Sequence, residues 1–196
     1  IVLDAYPQHQ LALFERGLLY RNIAVNDQGE SAVSMFQKAL SNLSQASKLG
    51  HTEAQGELNA VQTQLDAEQR FVQASTLECE RDIETARGLC EQALKLVPTH
   101  AAAQALMQRL IACMVAVEQH CKDASLLLSK QDLDSAKSHC QDALKLYPKY
   151  VVANSLIDEI NVLLDQVHML YSDALLCFDR KHMHESNVLC SQVLDK

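Results

Sequence analysis

Cysteine is the residue type that could most directly carry chemistry in this chain, and three of the seven cysteines are evenly spaced. Cys90, Cys140 and Cys190 follow one another at a step of 50 residues. Thiolates can ligate zinc, but ligands in successive structural units lie too far apart to share one ion, because zinc–sulfur bonds are only about 2.3 Å long. We therefore interpret these cysteines as small side chains that pack at one equivalent position in each unit.

Two further groups combine cysteine with histidine. Cys177, His182 and His184 have the atom types of a zinc site, but the histidines fall in a predicted polar turn and lack the paired spacing of structural sites. We interpret them as part of an exposed turn. The second group is expected to pack on helix faces: Cys113, His120, Cys121 and His139.

Catalytic motifs are absent from the sequence. It contains no glycine-rich phosphate loop, no His-Glu-x-x-His and no Gly-x-Ser-x-Gly. Asp123 and Asp173 recur, but one carboxylate per unit does not make a general acid–base pair. We expect no catalysis, no cofactor and no metal site.

Composition restricts the fold and the partners. The chain has 196 residues, with 5 Gly and 3 Pro, which disfavours an all-β fold with many tight turns. Its net charge of −8 disfavours nucleic-acid binding, because phosphate backbones attract basic surfaces. The most apolar run, residues 111–117, is shorter than the roughly 20 residues that span a bilayer, so we expect no membrane insertion. We also expect the chain to be a segment of a longer protein.

An internal repeat is the most informative pattern. Residues 87–98, RGLCEQALKLVP, recur as residues 137–148, KSHCQDALKLYP. A fixed period of 20–50 residues is typical of stacked supersecondary units. Apolar spacings of 3, 4 and 7 predict that these units are helical hairpins.

The pattern predicts an all-α domain, residues 1–196, built from four hairpins at about 8–49, 53–96, 101–146 and 151–196. Pro98 and Pro148 each end a helix, because the residue before proline disfavours helical backbone. The expected helices cover residues 8–23, 30–49, 53–80, 83–96, 101–130, 133–146, 151–180 and 185 onward.

Small residues within the hairpins resemble those of a known superfamily. Ala86, Cys90, Ala93 and Pro98, with their equivalents 50 residues later, resemble the second-helix signature of tetratricopeptide repeats. The small residue of the first helix is matched by Ala74, Ala124 and Ala174. The N-terminal hairpin is similar to SEL-like repeats in Ala12, Gly17, Tyr20, Ala32, Ala39 and the junction 49–55, LGHTEAQ.

The resemblance implies a right-handed superhelical array, an α-solenoid with long first and short second helices. Its period of 50 residues is longer than the usual 34 or so. It also implies a scaffold for protein–protein interaction, in which first-helix positions contact a partner peptide or domain. These positions correspond to Phe71, Glu78, Glu118, Cys121, Leu128, His168, Tyr171, Leu175 and Phe178. The full family set also includes Glu68, Ser75, Cys79, Ser125, Ser129 and Asp179.

Two alternatives to a peptide-docking module remain open. The chain could be a regulatory or dimerisation region of a larger signalling protein or enzyme, with a homodimer formed through the last repeat. A small zinc-binding protein is the weaker alternative.

The compartment depends on the cysteines. Free thiols favour the cytoplasm. Resemblance to secreted SEL-like proteins instead raises disulfides within hairpins, which would pair Cys79 with Cys90, Cys121 with Cys140 and Cys177 with Cys190, and would place the chain in the periplasm or outside the cell.

Overall fold

The protein is all-helical in a computed structural model, as the sequence predicts. The structure describes Leu3 and residues 6–179 and 183–194. The side chains of residues 177–179, 183–186 and 194 are not described. The part of the chain so described contains no β-strand. Its eight helices are α1 (Gln10–Val25), α2 (Glu30–Lys48), α3 (Ala54–Cys79), α4 (Ile83–Leu96), α5 (Ala101–Ser129), α6 (Leu133–Leu146), α7 (Val151–Asp179) and α8 (Met183–Leu194).

The helix ends agree with the sequence prediction to within two residues. They are set locally. Asp82 precedes α4 and its Oδ1 accepts a hydrogen bond from the backbone N–H of Thr85 (3.4 Å), and Asp132 does the same for Ser135 before α6 (3.1 Å). Such N-caps satisfy backbone donors that the first helical turn leaves unpaired.

A residue in the left-handed backbone conformation follows each of the helices α2, α3 and α5. Gly50, Arg81 and Gln131 have positive φ angles of 94°, 59° and 63°. After α3, the N–H of Asp82 donates to the carbonyl of Leu77 (2.9 Å), which is the closing bond of a Schellman motif. The bond recurs after α5, so the 50-residue period of the sequence is also a period of backbone conformation.

The chain divides into two compact units, Ile1–Ile111 and Ala112–Lys196. In the first unit, α1 packs against α2, α2 against α3 and α3 against α4. Gly17 lies at the contact of α1 with α2, where a Cβ atom would come within 2.8 Å of Leu43 Cγ. The core around this contact includes Leu13, Phe14, Phe36, Leu43 and Val61.

The core of the second unit joins α5, α6 and α7. Ala124, Leu133, Ala136, Cys140 and Ile160 are its buried members. Leu156, Leu163 and Val167 of α7 pack against them. Farther along the chain, α7 packs against α8.

Helix α5 is the one described helix that is long and apolar enough to cross a membrane by length and composition. Its best 18-residue window has a mean hydropathy of 1.3 and is 22% buried. Burial follows one face of this helix, at Leu106, Leu110, Val117 and Ala124. Core helices of globular proteins show the same composition, so a single such helix is weak evidence for a membrane span.

Replacing Gly17 by alanine should lower the free energy of unfolding by about 1–2 kcal/mol. Overpacking against the buried Leu43 costs about 1–3 kcal/mol, which exceeds the gain of up to about 1 kcal/mol in helix propensity. Urea unfolding followed by circular dichroism measures the change. The matched control is Gly88→Ala in α4, where a Cβ meets nothing within 4 Å, and which should stabilise by about 0.5–1 kcal/mol. Equal stabilisation by both substitutions would contradict the close contact of α1 with α2.

Candidate functional site

The two expected partner-contacting residues of α3 are engaged within the first unit. Phe71 is half-buried, and its ring centroid lies 5.3 Å from that of His100. Glu78 accepts two hydrogen bonds from Arg109, at 3.1 and 2.8 Å. These bonds and the charge of Glu78 raise the pKa of Arg109 above its usual value. Both side chains therefore contribute to the surface that α3 forms with the start of α5.

The expected positions of α5 gather around one cleft of the second unit. Glu118, Cys121 and Ser125 line it together with Lys122, Tyr150 and Val152, and its volume is about 440 Å³. Glu118 is exposed, and Leu128, one turn beyond Ser125, is half-buried. The structure thus brings three of the first-helix positions to one concave surface.

Cys121 requires a correction, because the resemblance implied a thiol on a partner-contacting surface. The residue is only 6% exposed and falls between Val117 and Ala124 on the buried face of α5. Burial, and then the charge of Glu118, raises the pKa of its thiol. Cys121 therefore forms an apolar wall of the cleft.

The expected positions of α7 are the most accessible. His168 is exposed, and Tyr171 and Leu175 are 56% and 49% exposed. Phe178 lies in the same helix, and its side chain is outside the described residues. Large apolar side chains are thus available at this end of α7.

A second cleft, of about 200 Å³, lies in the first unit where the α1–α2 loop, α3 and the start of α5 meet. Glu68 and His100 line it, and each is nearly buried, with side chains 6% and 11% exposed. Glu68 Oε1 accepts the backbone N–H of Gly29 (2.6 Å), and Oε2 lies 2.8 Å from His100 Nε2. One carboxylate therefore ties together three segments of the chain.

The protonation of His100 follows from its second contact. Its Nδ1 accepts the backbone N–H of Ala103 at 3.2 Å and so caps the start of α5. An accepting Nδ1 carries no proton, so the hydrogen must be on Nε2, where it donates to Glu68. The contacts of His100 therefore fit the tautomer that carries its hydrogen on Nε2.

The two clefts occupy equivalent places in successive repeats. Glu68, His100 and Ala102 line the first, and Glu118, Tyr150 and Val152, each 50 residues later, line the second. Sequence reasoning placed Glu68 among groove positions but did not find its pairing with His100. The available signal was the histidine two residues after Pro98, where the next repeat has tyrosine.

The cysteines divide by burial. Cys90 and Cys140 are fully buried, as the packing interpretation predicts, whereas Cys190 is exposed, and for this residue the interpretation is wrong. None of the described elements covers Cys190. Desolvation, and then the charge of Glu78, raises the pKa of Cys90 to about 11, while Arg109 opposes the shift. Desolvation also raises the pKa of Cys140.

The described cysteines are all thiols, so neither the Cys79–Cys90 nor the Cys121–Cys140 disulfide is present. The proposed partner of Cys190, Cys177, has its side chain outside the described residues. His182 also lies outside them, as does the side chain of His184. Within the described part of the chain, no cluster of three or more His, Cys, Asp or Glu side chains could hold a metal ion.

Thiol modification at pH 8 should separate these classes. Cys79 and Cys190 are exposed and should be alkylated fast by iodoacetamide, whereas Cys90 and Cys140 should react roughly 100-fold more slowly, because burial and a raised pKa remove accessible thiolate. Peptide mapping by mass spectrometry gives the rate at each site. Alkylation of Cys90 at the rate of Cys79 in folded protein would contradict its burial.

Glu68→Gln should destabilise the first unit by about 1–3 kcal/mol. Glutamine has one carbonyl oxygen, which can accept from His100 Nε2 or from the Gly29 N–H but not from both, so one of the two donors loses its partner. The shift of the urea unfolding midpoint reports the loss. Glu118→Gln, at the exposed equivalent position, is the matched control. It should leave the free energy of unfolding within about 0.5 kcal/mol of wild type. Equal effects of the two changes would show that the Glu68 pairing does not contribute.

Comparison with family models, with curated proteins and with solved structures found no match for this chain.

Proposed function

We propose that this chain is a protein–protein interaction module that docks a partner segment on the surface exposed by α7. The observation that carries the proposal is the exposure of large apolar side chains along this helix. Met169 is 68% exposed, and Tyr171 and Leu175 are close to half exposed. Groups of exposed large apolar side chains are typical of interaction sites.

The exposed residues form two stripes, which we call together the α7 surface. Val162, Met169 and Leu176 recur every seven residues, or about two helical turns, and so lie along one line of the helix. Tyr171 and Leu175 are four residues apart and form the second line, with His168 beside them. At about 100° per residue, this second line lies roughly 120–160° around the helix from the first. Aromatic and methionine side chains are enriched at interface cores.

The charge of α7 indicates the chemistry of the partner. Residues 151–179 contain no lysine or arginine. Four acidic residues of the helix are exposed: Asp158, Glu159, Asp165 and Asp173. Electrostatic complementarity favours a partner that carries basic residues next to its apolar anchors. A basic amphipathic helix meets both requirements, because it can place its apolar face on one of the two stripes and its lysines or arginines near the carboxylates.

We propose binding rather than catalysis as the role of the chain. The pair best suited to acid–base chemistry, Glu68 and His100, uses both carboxylate oxygens and both ring nitrogens in bonds within the chain. Cys90, Cys121 and Cys140 are buried thiols with raised pKa values, which opposes a nucleophilic role.

The tetratricopeptide-like resemblance, and the right-handed superhelical array that it implies, are part of this proposal. The recurrence of the same turn and the same aspartate cap 50 residues apart supports repeated hairpins. The thiols of the buried cysteines support the cytoplasm as the compartment. The expected contacts through Phe71, Glu78, Glu118 and Leu128 stay predictions beside the α7 surface.

The alternative role is a regulatory or dimerisation region, in which α7 packs on a second copy. The same exposed apolar stripes favour it. The exposed carboxylates oppose it, because like charges brought together at an interface are repulsive. Light scattering on the purified chain distinguishes the two, since a dimer at micromolar concentration favours the alternative.

Fluorescence anisotropy with designed peptides tests the preferred role. We expect a helical peptide with leucine anchors and flanking lysines to bind at least about tenfold more tightly than the same peptide with glutamates in place of the lysines. Only the lysines complement the negative charge of the exposed carboxylates on α7. The double variant Tyr171→Ala and Leu175→Ala should weaken binding by roughly tenfold or more, through loss of buried anchor area.

The matched control is Leu19→Ala with Val25→Ala, which truncates two comparably exposed apolar residues of α1. This control should bind the basic peptide as wild type does. Equal binding of the two peptides would refute charge complementarity, and unchanged binding by the α7 double variant would show that the α7 surface is not the docking site. Capture from the native source with the same variants would then identify the partner.

A further inference from the structure

A contact between two histidines in the second unit has no part in the proposed docking surface. His120 of α5 and His139 of α6 are both half-buried. Their Nδ1 atoms are 3.2 Å apart, and their rings are tilted by 46° with centroids 5.5 Å apart. The two imidazoles therefore direct nitrogen atoms at one another across the α5–α6 pair.

This nitrogen–nitrogen distance is the one that a shared metal ion requires. Zinc binds imidazole nitrogen at about 2.0–2.1 Å with tetrahedral angles, which places two such nitrogens about 3.3 Å apart. Two neutral imidazoles can also share a single hydrogen bond, with one Nδ1 donating and the other accepting. Metal binding instead uses the lone pairs of both Nδ1 atoms.

The preceding repeat shows that packing does not require this pair. The residues 50 positions earlier are Arg70 and Leu89, and neither is a metal ligand. Arg70 instead donates to Gln92 Oε1 at 3.4 Å. Leucine at the position of His139 is therefore compatible with the same hairpin, and the histidines are a specific departure in the second repeat.

An acidic residue lies within electrostatic range of both rings. Asp142, three residues after His139 in α6, accepts a hydrogen bond from Lys145 at 2.8 Å. The pKa of Asp142 is lowered first by this bond and the lysine charge, and further by His120 and His139. Asp142 is paired with Lys145 and does not form a three-ligand group with the two histidines, so an ion bound here depends on the two imidazoles.

We propose that His120 and His139 form a two-histidine site for a divalent transition-metal ion of the zinc class, in which water completes the coordination. Imidazole nitrogen suits zinc, nickel and copper, whereas magnesium and calcium prefer oxygen ligands. The bound ion joins α5 to α6 and stabilises their contact, since a ligand that binds only the folded state raises the stability of that state.

Isothermal titration of the metal-free, reduced chain with zinc chloride tests the site. We expect His139→Leu, which restores the residue of the preceding repeat, and His120→Gln each to weaken zinc binding by at least roughly tenfold. His168→Gln, at an exposed histidine of α7, is the control and should bind zinc as wild type does. This control also accounts for zinc taken up by exposed thiols, which all the variants retain.

Imidazole resonances of the wild-type chain provide a second readout that does not depend on any variant folding. Zinc should shift the ring signals of His120 and His139 and leave that of His100, whose two nitrogens are already bonded, unchanged. Zinc binding that persists undiminished in His139→Leu, or resonances of His120 and His139 that do not respond to zinc, would overturn the proposal.

Discussion

Close approach between neighbouring helices is the constraint on which the rest of the structure depends. It is met by small side chains at the contact positions. Ala86, Cys90 and Ala93 of α4 are completely buried, as are their equivalents in α6, Ala136, Cys140 and Ala143. Gly17 meets the same need in α1, at the contact with Leu43. Because interiors are close-packed, larger groups at these places would separate the helices and open the core.

Much of the fold could be predicted from the sequence because its signals are local. Asp82 and Asp132 cap the helices that follow them, and Pro98 and Pro148 end the same helices, so α4 and α6 have the bounds expected from the pattern. The site was less predictable. The Glu68–His100 and His120–His139 contacts join residues 32 and 19 positions apart, and no spacing rule for one helix relates them. Cys121 was misjudged because the resemblance gave a position in a repeat, whereas its neighbours on the helix face determine its burial.

The two repeats use one backbone design for different chemistry. At the cleft, Glu68 and His100 of the first repeat are replaced by Glu118 and Tyr150, so a buried hydrogen-bonded pair becomes an exposed carboxylate beside a phenol. On the α5–α6 pair, His120 and His139 replace Arg70 and Leu89. The alanine and cysteine contacts stay constant while the residues around them vary. A repeated scaffold can thereby present distinct surfaces without a new fold, which is why function must be argued from sites.

The bonds made by Glu68 also bear on how the first unit opens. Repeat arrays commonly unfold in segments, because each unit contacts only its neighbours. Glu68 is bonded to residues 39 positions before it and 32 positions after it, so separation of either segment removes one of the two donors of a buried carboxylate. Fraying of the α1–α2 loop and melting of the start of α5 are thereby coupled energetically. Amide hydrogens in these two places should exchange with solvent as one cooperative group rather than in sequence order.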